Sequence, residues 1–325
     1  MPTPDTLTLR VRALRWEADG VLSVELVAPD ASTLPPFEAG AHVDIALPLP
    51  GGALSRSYSL CNDPRETQRY VVGIGRDRAS RGGSRWVHEH LRPGALLQVT
   101  PPRNHFRLNE AAPAFALVAG GIGITPILAM ARRLHAMGKP VRALVAARNR
   151  EAAAFVDEMR ALVPALTLHL DSEAGGPPDL RAWLGALPRD TGVYGCGPAP
   201  MLEAFERGCE ELGLADAHIE RFAAAPAPAG AAEAAPAGAY TVVLERRGRT
   251  IEVAPGKSLL DTLLDAGIDV PYSCMEGVCG TCETRVLEGE IEHRDGVLSA
   301  VEKKRGDVMM VCVSSCKGPR LVLDL

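Results

Sequence analysis

Hydrophobic and polar residues alternate in short runs along the first third of the chain. The clearest runs cover residues 7–11, 24–26 and 42–47, and glycine and proline turns separate them. Alternation with a period of two is typical of a strand that buries one face. Regular short strands with frequent turns predict a small antiparallel β-barrel over residues 1–108, with one helix at 84–91 inside it.

The pattern changes after residue 109, where apolar runs begin to alternate with stretches of helical period. Strands are predicted at 115–119, 141–147, 166–170 and 192–195, and helices at 126–137, 152–162, 180–187 and 200–212. Such alternation predicts an α/β domain over 109–222, with a parallel sheet and helices on both faces.

A segment without any large apolar side chain follows at 223–239, and it contains only Ala, Pro, Gly and Glu. It predicts a linker, because nothing in it can form a core. Residues 240–325 form a third domain, which opens with a predicted hairpin and a helix at 258–266, capped by Ser258. The predicted architecture is therefore multidomain.

Composition narrows the class of protein. The chain has 325 residues, of which 46% are hydrophobic and 23% charged, as in ordinary globular proteins. A net charge of −5 argues against a nucleic-acid-binding surface. No apolar run is long enough to span a membrane, and the N-terminal residues lack the pattern of a secretory signal. We expect a cytoplasmic protein with neither membrane nor nucleic acid as partner.

Five of the eight cysteines lie in the last 52 residues. Cys274, Cys279 and Cys282 follow a C-x4-C-x2-C spacing, and Cys312 comes after 29 further residues. This is the plant-type spacing of a [2Fe–2S] cluster. Thiolates also bind zinc, and Cys316 adds another thiol nearby, so a zinc site or a set of buried thiols stays open.

A cluster of this kind carries one electron at a time, whereas a nicotinamide delivers a hydride. A flavin is the usual intermediary, so the N-terminal half should hold one. Its candidate contacts are Arg56 for a phosphate, Tyr58 for stacking, and Ser57 and Ser59 for hydrogen bonds to the ring edge. Arg81, Gly82, Gly83 and Ser84 precede the predicted helix and suggest a phosphate cradle at its N-terminus. Each motif alone is also compatible with a surface turn.

A glycine turn follows the first strand of the parallel sheet. It consists of Gly120, Gly121 and Gly123, which is not the G-x-G-x-x-G fingerprint but still lets a phosphate approach backbone amides. A second group lies at the tip of a later strand and consists of Cys196, Gly197 and Pro198. Arg148 is placed to meet the 2′-phosphate of NADPH. Asp171 is placed to accept the ribose hydroxyls of NADH and to repel that phosphate.

A barrel with Arg-x-Tyr-Ser, followed by a parallel sheet with Gly-Gly-x-Gly-x-Thr-Pro and Cys-Gly-Pro, resembles the ferredoxin–NADP reductase superfamily. The trailing plant-type ferredoxin narrows the resemblance to the phthalate dioxygenase reductase family, which includes reductase components similar to those of vanillate O-demethylase. The resemblance covers essentially the whole chain, and it implies an α+β, β-grasp-like fold for the ferredoxin domain. It implies FMN rather than FAD, and NADH as the nucleotide.

The resemblance also assigns roles to single residues. It implies that Val72, Gly73 and Ile74 run beside the flavin and that Gly82, Gly83 and Ser84 hold the FMN phosphate. Thr125 should lie where nicotinamide meets flavin, and Phe222 should lie near the flavin ring. Cys312 is the implied fourth ligand of the cluster.

The expected protein is an NADH-dependent reductase that passes electrons through FMN and the [2Fe–2S] cluster to a separate Rieske-type oxygenase, and it is expected to be a monomer. Hydride transfer needs proximity rather than a protein acid or base, so no catalytic residue is predicted. Glu220 is suggested to lie near the flavin without such a role. The alternatives are a cytochrome P450 partner, a non-catalytic electron carrier or redox-sensing module, and a zinc-dependent interaction module.

Overall fold

The computed structural model describes residues 6–50, 52–77, 82–222, 238–272, 274–298 and 300–325. The chain divides into two compact units, Met1–Glu220 and Arg221–Leu325. The linker prediction falls mainly on residues 223–237, which lie outside the described residues.

Six antiparallel strands form the first sheet, in the order β4-β3-β6-β1-β2-β5. Their bounds are β1 Leu7–Ala18, β2 Val21–Val27, β3 His42–Leu49, β4 Gly52–Ser59, β5 Tyr70–Gly75 and β6 Leu96–Val99. A bridge between Leu60 and Val72 joins the two edges, so the sheet closes on itself. Alternating residues such as Val43, Ile45 and Leu47 fill the interior, as the period-two pattern predicts. Helix α1, Gly83–His90, packs against this barrel.

Five parallel strands form the second sheet, in the order β11-β10-β7-β8-β9. The bounds are β7 Ala114–Gly120, β8 Val141–Ala147, β9 Ala165–Leu170, β10 Thr191–Cys196 and β11 Ala217–Glu220, with helices α2 Ile124–Ala136, α3 Val156–Leu162, α4 Asp171–Ala174, α5 Leu180–Gly185 and α6 Ala199–Leu212. Successive residues of β7 point to opposite faces. Leu117 packs with α2 and α3, whereas Val118 packs with α5 and α6. The apolar run at 115–119 therefore reflects a strand buried on both faces.

The second unit contains a mixed sheet in the order β13-β12-β18-β14-β16 and a short β15–β17 pair. The bounds are β12 Tyr240–Leu244, β13 Arg249–Val253, β14 Glu283–Glu288, β15 Ile291–Glu292, β16 Val308–Met310, β17 Ser315–Cys316 and β18 Arg320–Leu323, with helices α7 Leu259–Asp265 and α8 Ala300–Arg305. Strand β18 lies between β12 and β14 and runs parallel to β12. These sheets confirm the predicted fold class. Among the described residues, no helix combines the length and apolar character needed to cross a membrane.

One predicted boundary is wrong by four residues. The helix expected from residue 152 begins at Val156, because Phe155 adopts a left-handed backbone conformation with φ 58°. Asn149 also accepts a hydrogen bond from the amide of Ala152, which favours a turn there.

Candidate functional site

The Arg-x-Tyr-Ser motif occupies the end of β4, next to the start of α1. A Cβ atom placed on Gly83 would lie 3.2 Å from Cγ of Arg56, so the arginine side chain passes directly over the first residue of the helix. The structure therefore brings together the two motifs that the sequence proposes for one phosphate.

The N-terminus of α1 suits an anion. Within the described residues no side chain caps it, and its first turn carries no acidic residue. The Oγ of Ser84 accepts a hydrogen bond from the amide of Asp77, which connects the end of the segment after β5 to the first turn of the helix. Backbone N–H groups at a helix start favour negative charge. Arg81 lies outside the described residues, so its predicted role stays a prediction.

The remaining residues of the motif face different partners. Tyr58 packs partly against the barrel core, and its burial raises the pKa of the phenol to about 12, against the opposing effect of Arg56. The Oγ of Ser57 donates to Asp44 at 2.5 Å. The Oγ of Ser59 donates to Glu220 at 3.3 Å. The two serines are thus held by carboxyl groups in this structure.

Strand β5, which contains Val72, Gly73 and Ile74, connects the barrel with the parallel-sheet half. All three residues are buried. A Cβ on Gly73 would lie 2.6 Å from Cγ2 of Thr125 and 3.1 Å from the ring of Phe155. The strand predicted to lie beside the flavin therefore touches the residue predicted to lie beside the nicotinamide.

The two glycine motifs of the parallel sheet meet at its carboxyl edge. A Cβ on Gly123 would lie 2.3 Å from the carbonyl oxygen of Cys196, so only glycine permits this close approach. Gly120 likewise lies against Pro198, and Gly197 lies against Gly120. Gly121, Gly123 and these residues form one loop cluster where ligands bind in open parallel sheets.

Glu220, which the sequence analysis suggests near the flavin without a role, joins this cluster. It pairs with Cys196 in the register of β10 and β11, and it accepts the hydrogen bond from Ser59. Desolvation raises the pKa of Glu220 to about 8, and burial raises the pKa of the Cys196 thiol. Its contact with Ser59 is what the sequence did not predict.

Arg148 and Asp171 lie at neighbouring strand ends on the same edge. Ala147 pairs with Leu170, and the amide of Ser172 donates to the carbonyl oxygen of Arg148 at 2.9 Å. Arg148 is exposed, whereas Asp171 is partly buried and lies 3.4 Å from Nε2 of His169. Both groups can therefore reach the same part of a nucleotide.

In the second unit, the four predicted cluster ligands Cys274, Cys279, Cys282 and Cys312 are all buried. Interaction between the Cys274 and Cys279 side chains lowers the pKa of Cys274 to about 6 and raises that of Cys279. The side chains of Cys282 and Cys312 interact in the same way, which lowers the pKa of Cys282 and raises that of Cys312. Within the described ranges, no three or more His, Cys, Asp or Glu side chains are arranged to hold a metal ion.

The surroundings of these thiols fit an iron–sulfur cluster in chemistry. The amide of Glu276 donates to Sγ of Cys274 at 3.3 Å, and Oγ1 of Thr281 lies 3.0 Å from Sγ of Cys279. A Cβ on Gly277 would lie 2.6 Å from Val313, so the loop packs closely against the segment that carries Cys312. Burial of the sulfur atoms and hydrogen bonds to them are among the features that set the reduction potential of an iron–sulfur cluster.

Cys316 and Phe222 are the remaining residues of the second unit to which the sequence gives a possible role. Cys316 lies in β17, and its thiol donates to the carbonyl oxygen of Arg320 at 3.3 Å, which is compatible with a free thiol. Phe222 is 39% exposed and belongs to this unit. Its placement near a flavin stays a prediction.

Comparison with known proteins adds independent findings. A family model described as a 2Fe-2S iron-sulfur cluster binding domain matches residues 242–317. Phenoxybenzoate dioxygenase subunit beta of Ectopseudomonas oleovorans is 46% identical over 98% of this chain and 97% of its own. Vanillate O-demethylase oxidoreductase of a Pseudomonas strain is 41% identical over 97% of this chain and 98% of its own.

Two solved structures share the architecture. Phthalate dioxygenase reductase, described as a modular structure for electron transfer from pyridine nucleotides to [2Fe–2S], matches with a TM-score of 0.70, 38% identity and 98% coverage of both chains. An intact type IV self-sufficient cytochrome P450 monooxygenase matches with a TM-score of 0.88 and 36% identity. This chain spans 42% of that structure.

A flavin-type barrel, a nucleotide-type parallel sheet and an iron–sulfur domain on one chain define an NAD(P)H-dependent oxidoreductase. Near full-length similarity at 38–46% identity narrows this class. The chain belongs to the phthalate dioxygenase reductase family.

Proposed function

We propose that this chain is the reductase component of an oxygenase system, and that it uses NADH, FMN and a [2Fe–2S] cluster. One contact carries the proposal. Gly73 of β5 lies against Thr125, which follows the glycine loop, so the candidate flavin and nicotinamide sites adjoin each other within a single compact unit. Hydride transfer requires this proximity.

FMN is supported by the phosphate site of the barrel. Arg56 and the uncapped start of α1 supply charge and backbone donors for one terminal phosphate. In this proposal Gly82, Gly83 and Ser84 surround the phosphate, and Tyr58 lies along the ring system. The barrel, residues 1–108, is thus the proposed flavin domain.

NADH is supported by Asp171 at the carboxyl edge of the parallel sheet, residues 109–222. A carboxylate accepts hydrogen bonds from two ribose hydroxyls and repels a 2′-phosphate. Arg148 beside it would favour NADPH. Because Asp171 is the less exposed of the two and starts α4, it is the better fixed group.

When bound, the flavin takes a hydride from the nucleotide and passes electrons singly to the cluster, which no side chain can do. In this proposal the protein positions the flavin and the nucleotide and keeps water away from them. Thr125 is 1% exposed, and its hydroxyl donates to the carbonyl of Ile122, so it is a fixed part of the contact between the two candidate sites. Glu220 accepts the hydrogen bond from Ser59 and pairs with Cys196, and its raised pKa favours a retained proton there.

In the second unit, we propose that Cys274, Cys279, Cys282 and Cys312 hold the cluster within a ferredoxin domain, residues 240–325. All four are less than 10% exposed, which limits access of water and oxidants. The linker at 223–239 then joins two separately folded carriers.

The proposed partner is a separate Rieske-type oxygenase. Similar proteins are named as components of a dioxygenase and an O-demethylase, which supports an oxygenase partner. A cytochrome P450 is the second candidate, because a self-sufficient P450 monooxygenase contains a region similar to the whole of this chain.

The deciding experiment is an anaerobic absorbance titration of the purified protein, with chromatography of the extracted flavin. We expect FMN, bleaching of flavin and cluster absorbance by about one equivalent of NADH per electron pair, and a poorer response to NADPH. A colourless protein, or one that NADH leaves oxidised, would contradict the proposal. Transfer of electrons to purified Rieske and P450 proteins then separates the two partners.

A further inference from the structure

Asp44 lies in β3 and is 3% exposed, although it carries a carboxylate. Three contacts hold it. Its Oδ1 accepts from Oγ of Ser57 at 2.5 Å, its other oxygen forms an ion pair with the guanidinium of Arg103, and its amide donates to Oγ1 of Thr100 at 2.9 Å. A buried carboxylate is tolerated only with such partners, so these contacts are fixed together.

The position of Asp44 in the sheet connects it to the flavin motif. Asp44 pairs with Ser57 in the register of β3 and β4, and Ser57 lies between Arg56 and Tyr58. Successive side chains of a strand point to opposite faces. The hydroxyl of Ser57 therefore points away from the face that carries Arg56 and Tyr58, and it is already bonded to Asp44.

Arg103 belongs to a segment that is itself anchored on β3. Its amide donates to the carbonyl of His42 at 2.9 Å, and the amide of His42 donates to its carbonyl at 2.8 Å. The amide of Thr100 donates to the carbonyl of Asp44 at 2.9 Å. Asp44 thus connects β4 to a backbone-paired segment on the other side of β3.

We propose that Asp44 is a positioning residue for the flavin site, which acts through Ser57 to fix the part of β4 that presents Arg56 and Tyr58. This inference rests on the proposed function. It changes the role of Ser57 from a flavin contact to the link between Asp44 and the flavin-binding face.

The test uses the full-length protein with its flavin removed and FMN added back. Asp44→Asn replaces the charged acceptor of Ser57 with a neutral amide and removes the charge opposite Arg103, so it disrupts the same link from which Ser57→Ala removes the hydroxyl. We expect each to weaken FMN binding about tenfold, the order of one charge-assisted hydrogen bond, as measured by fluorescence quenching. The double variant should be no weaker than the weaker single variant, because both changes break one link.

The flavin midpoint potential and the separate KM and kcat for NADH distinguish positioning from mere stability. We expect a shifted potential, a lower kcat and an unchanged KM. Asp63→Asn is the matched control, since its carboxylate also pairs with an arginine of the same domain, Arg65, away from β4. It should leave FMN affinity within twofold of wild type.

The inference is overturned if Asp44→Asn and Ser57→Ala lower the melting temperature but bind FMN as tightly as wild type. Additive losses in the double variant would also overturn it, because they would make Ser57 an independent contact. Failure of the proposed function gives a different result, namely a wild-type protein that binds no FMN.

Discussion

At the scale of single residues, the cysteines of the second unit differ in what surrounds them. Interaction with Cys312 lowers the pKa of Cys282, whereas the Cys316 thiol donates to a backbone carbonyl in a short strand pair. Both are buried, so exposure does not separate them. The groups next to Cys312 and Cys316 do distinguish the two residues, and this difference can be tested.

Replacing Cys312 with serine should remove most of the iron and acid-labile sulfide, from about two iron atoms per chain to well under one, because serine is a poor ligand for this cluster. Cys316→Ser is the matched control and should keep both. Iron and sulfide analysis with visible absorbance gives the answer. Equal loss in the two variants would show that the ligand set is misassigned.

The raised pKa of Glu220 makes the folding stability of the protein depend on pH. Its pKa is about 8 in the folded protein against 4.5 when unfolded. Between pH 4.5 and pH 8 the folded protein binds one more proton than the unfolded chain does. The stabilisation that this proton gives is therefore complete below pH 4.5 and is lost as the pH rises towards 8. The loss is at most about 1.4 kcal/mol per pH unit.

Glu220→Gln mimics the protonated acid and should remove this slope. We expect the melting temperature of wild type to fall relative to the variant between pH 5 and pH 8, and to run parallel to it above pH 9. Parallel curves over the whole range would mean that Glu220 has an ordinary pKa.

Residues within a local motif could be found from the sequence, because their spacing is itself the signal. The sequence suggested Glu220 near the flavin but not its contact with Ser59, because the two residues are 161 positions apart and the hydrogen bond depends on how two sheets meet. The bond between Asp44 and Ser57 is hidden in the same way, because it depends on strand register.

At the scale of elements, the ends of β8 and β9 place Arg148 and Asp171 next to each other, so the proposed choice of nucleotide depends on two adjacent strand ends. Asp171→Asn removes the charge and keeps the size of the side chain. The ratio of kcat/KM for NADPH to that for NADH should rise about tenfold, as expected for one screened charge.

Asp157→Asn is the control for this change, because its side chain is 98% exposed on α3. It should leave the ratio unchanged. A ratio unaffected by Asp171→Asn would assign the preference elsewhere.

Elements with strong periodicity were predicted well. Strand β8 was expected at residues 141–147 and occupies them, because both of its faces are covered and its residues are almost all apolar. The start of α3 was missed, since the left-handed conformation of Phe155 has no signal in local propensity. Packing against Gly73, a residue distant in sequence, accompanies that conformation.

At the scale of the whole molecule, the two compact units imply that transfer from flavin to cluster depends on their covalent connection. A linker keeps the local concentration of one unit near the other in the millimolar range. Cutting the chain within residues 223–237 should preserve NADH-driven reduction of ferricyanide. Delivery to the oxygenase should fall by more than tenfold at micromolar protein.

An inserted protease site allows the same sample to be measured before and after cleavage. The uncut insertion protein is the control for the insertion itself. Undiminished delivery after complete cleavage would show that the units need no tether.

Strand β18 occupies the interior of the second sheet, between β12 and β14, although it is made more than 70 residues after β12. During synthesis on the ribosome, the edge of β12 that pairs with β18 therefore stays unpaired until residues 320–323 emerge. The cysteines stay accessible in the nascent chain for the same interval. If these cysteines hold the proposed cluster, we expect iron and sulfide to enter only after residues 320–323 have emerged, and the thiols must stay reduced until then.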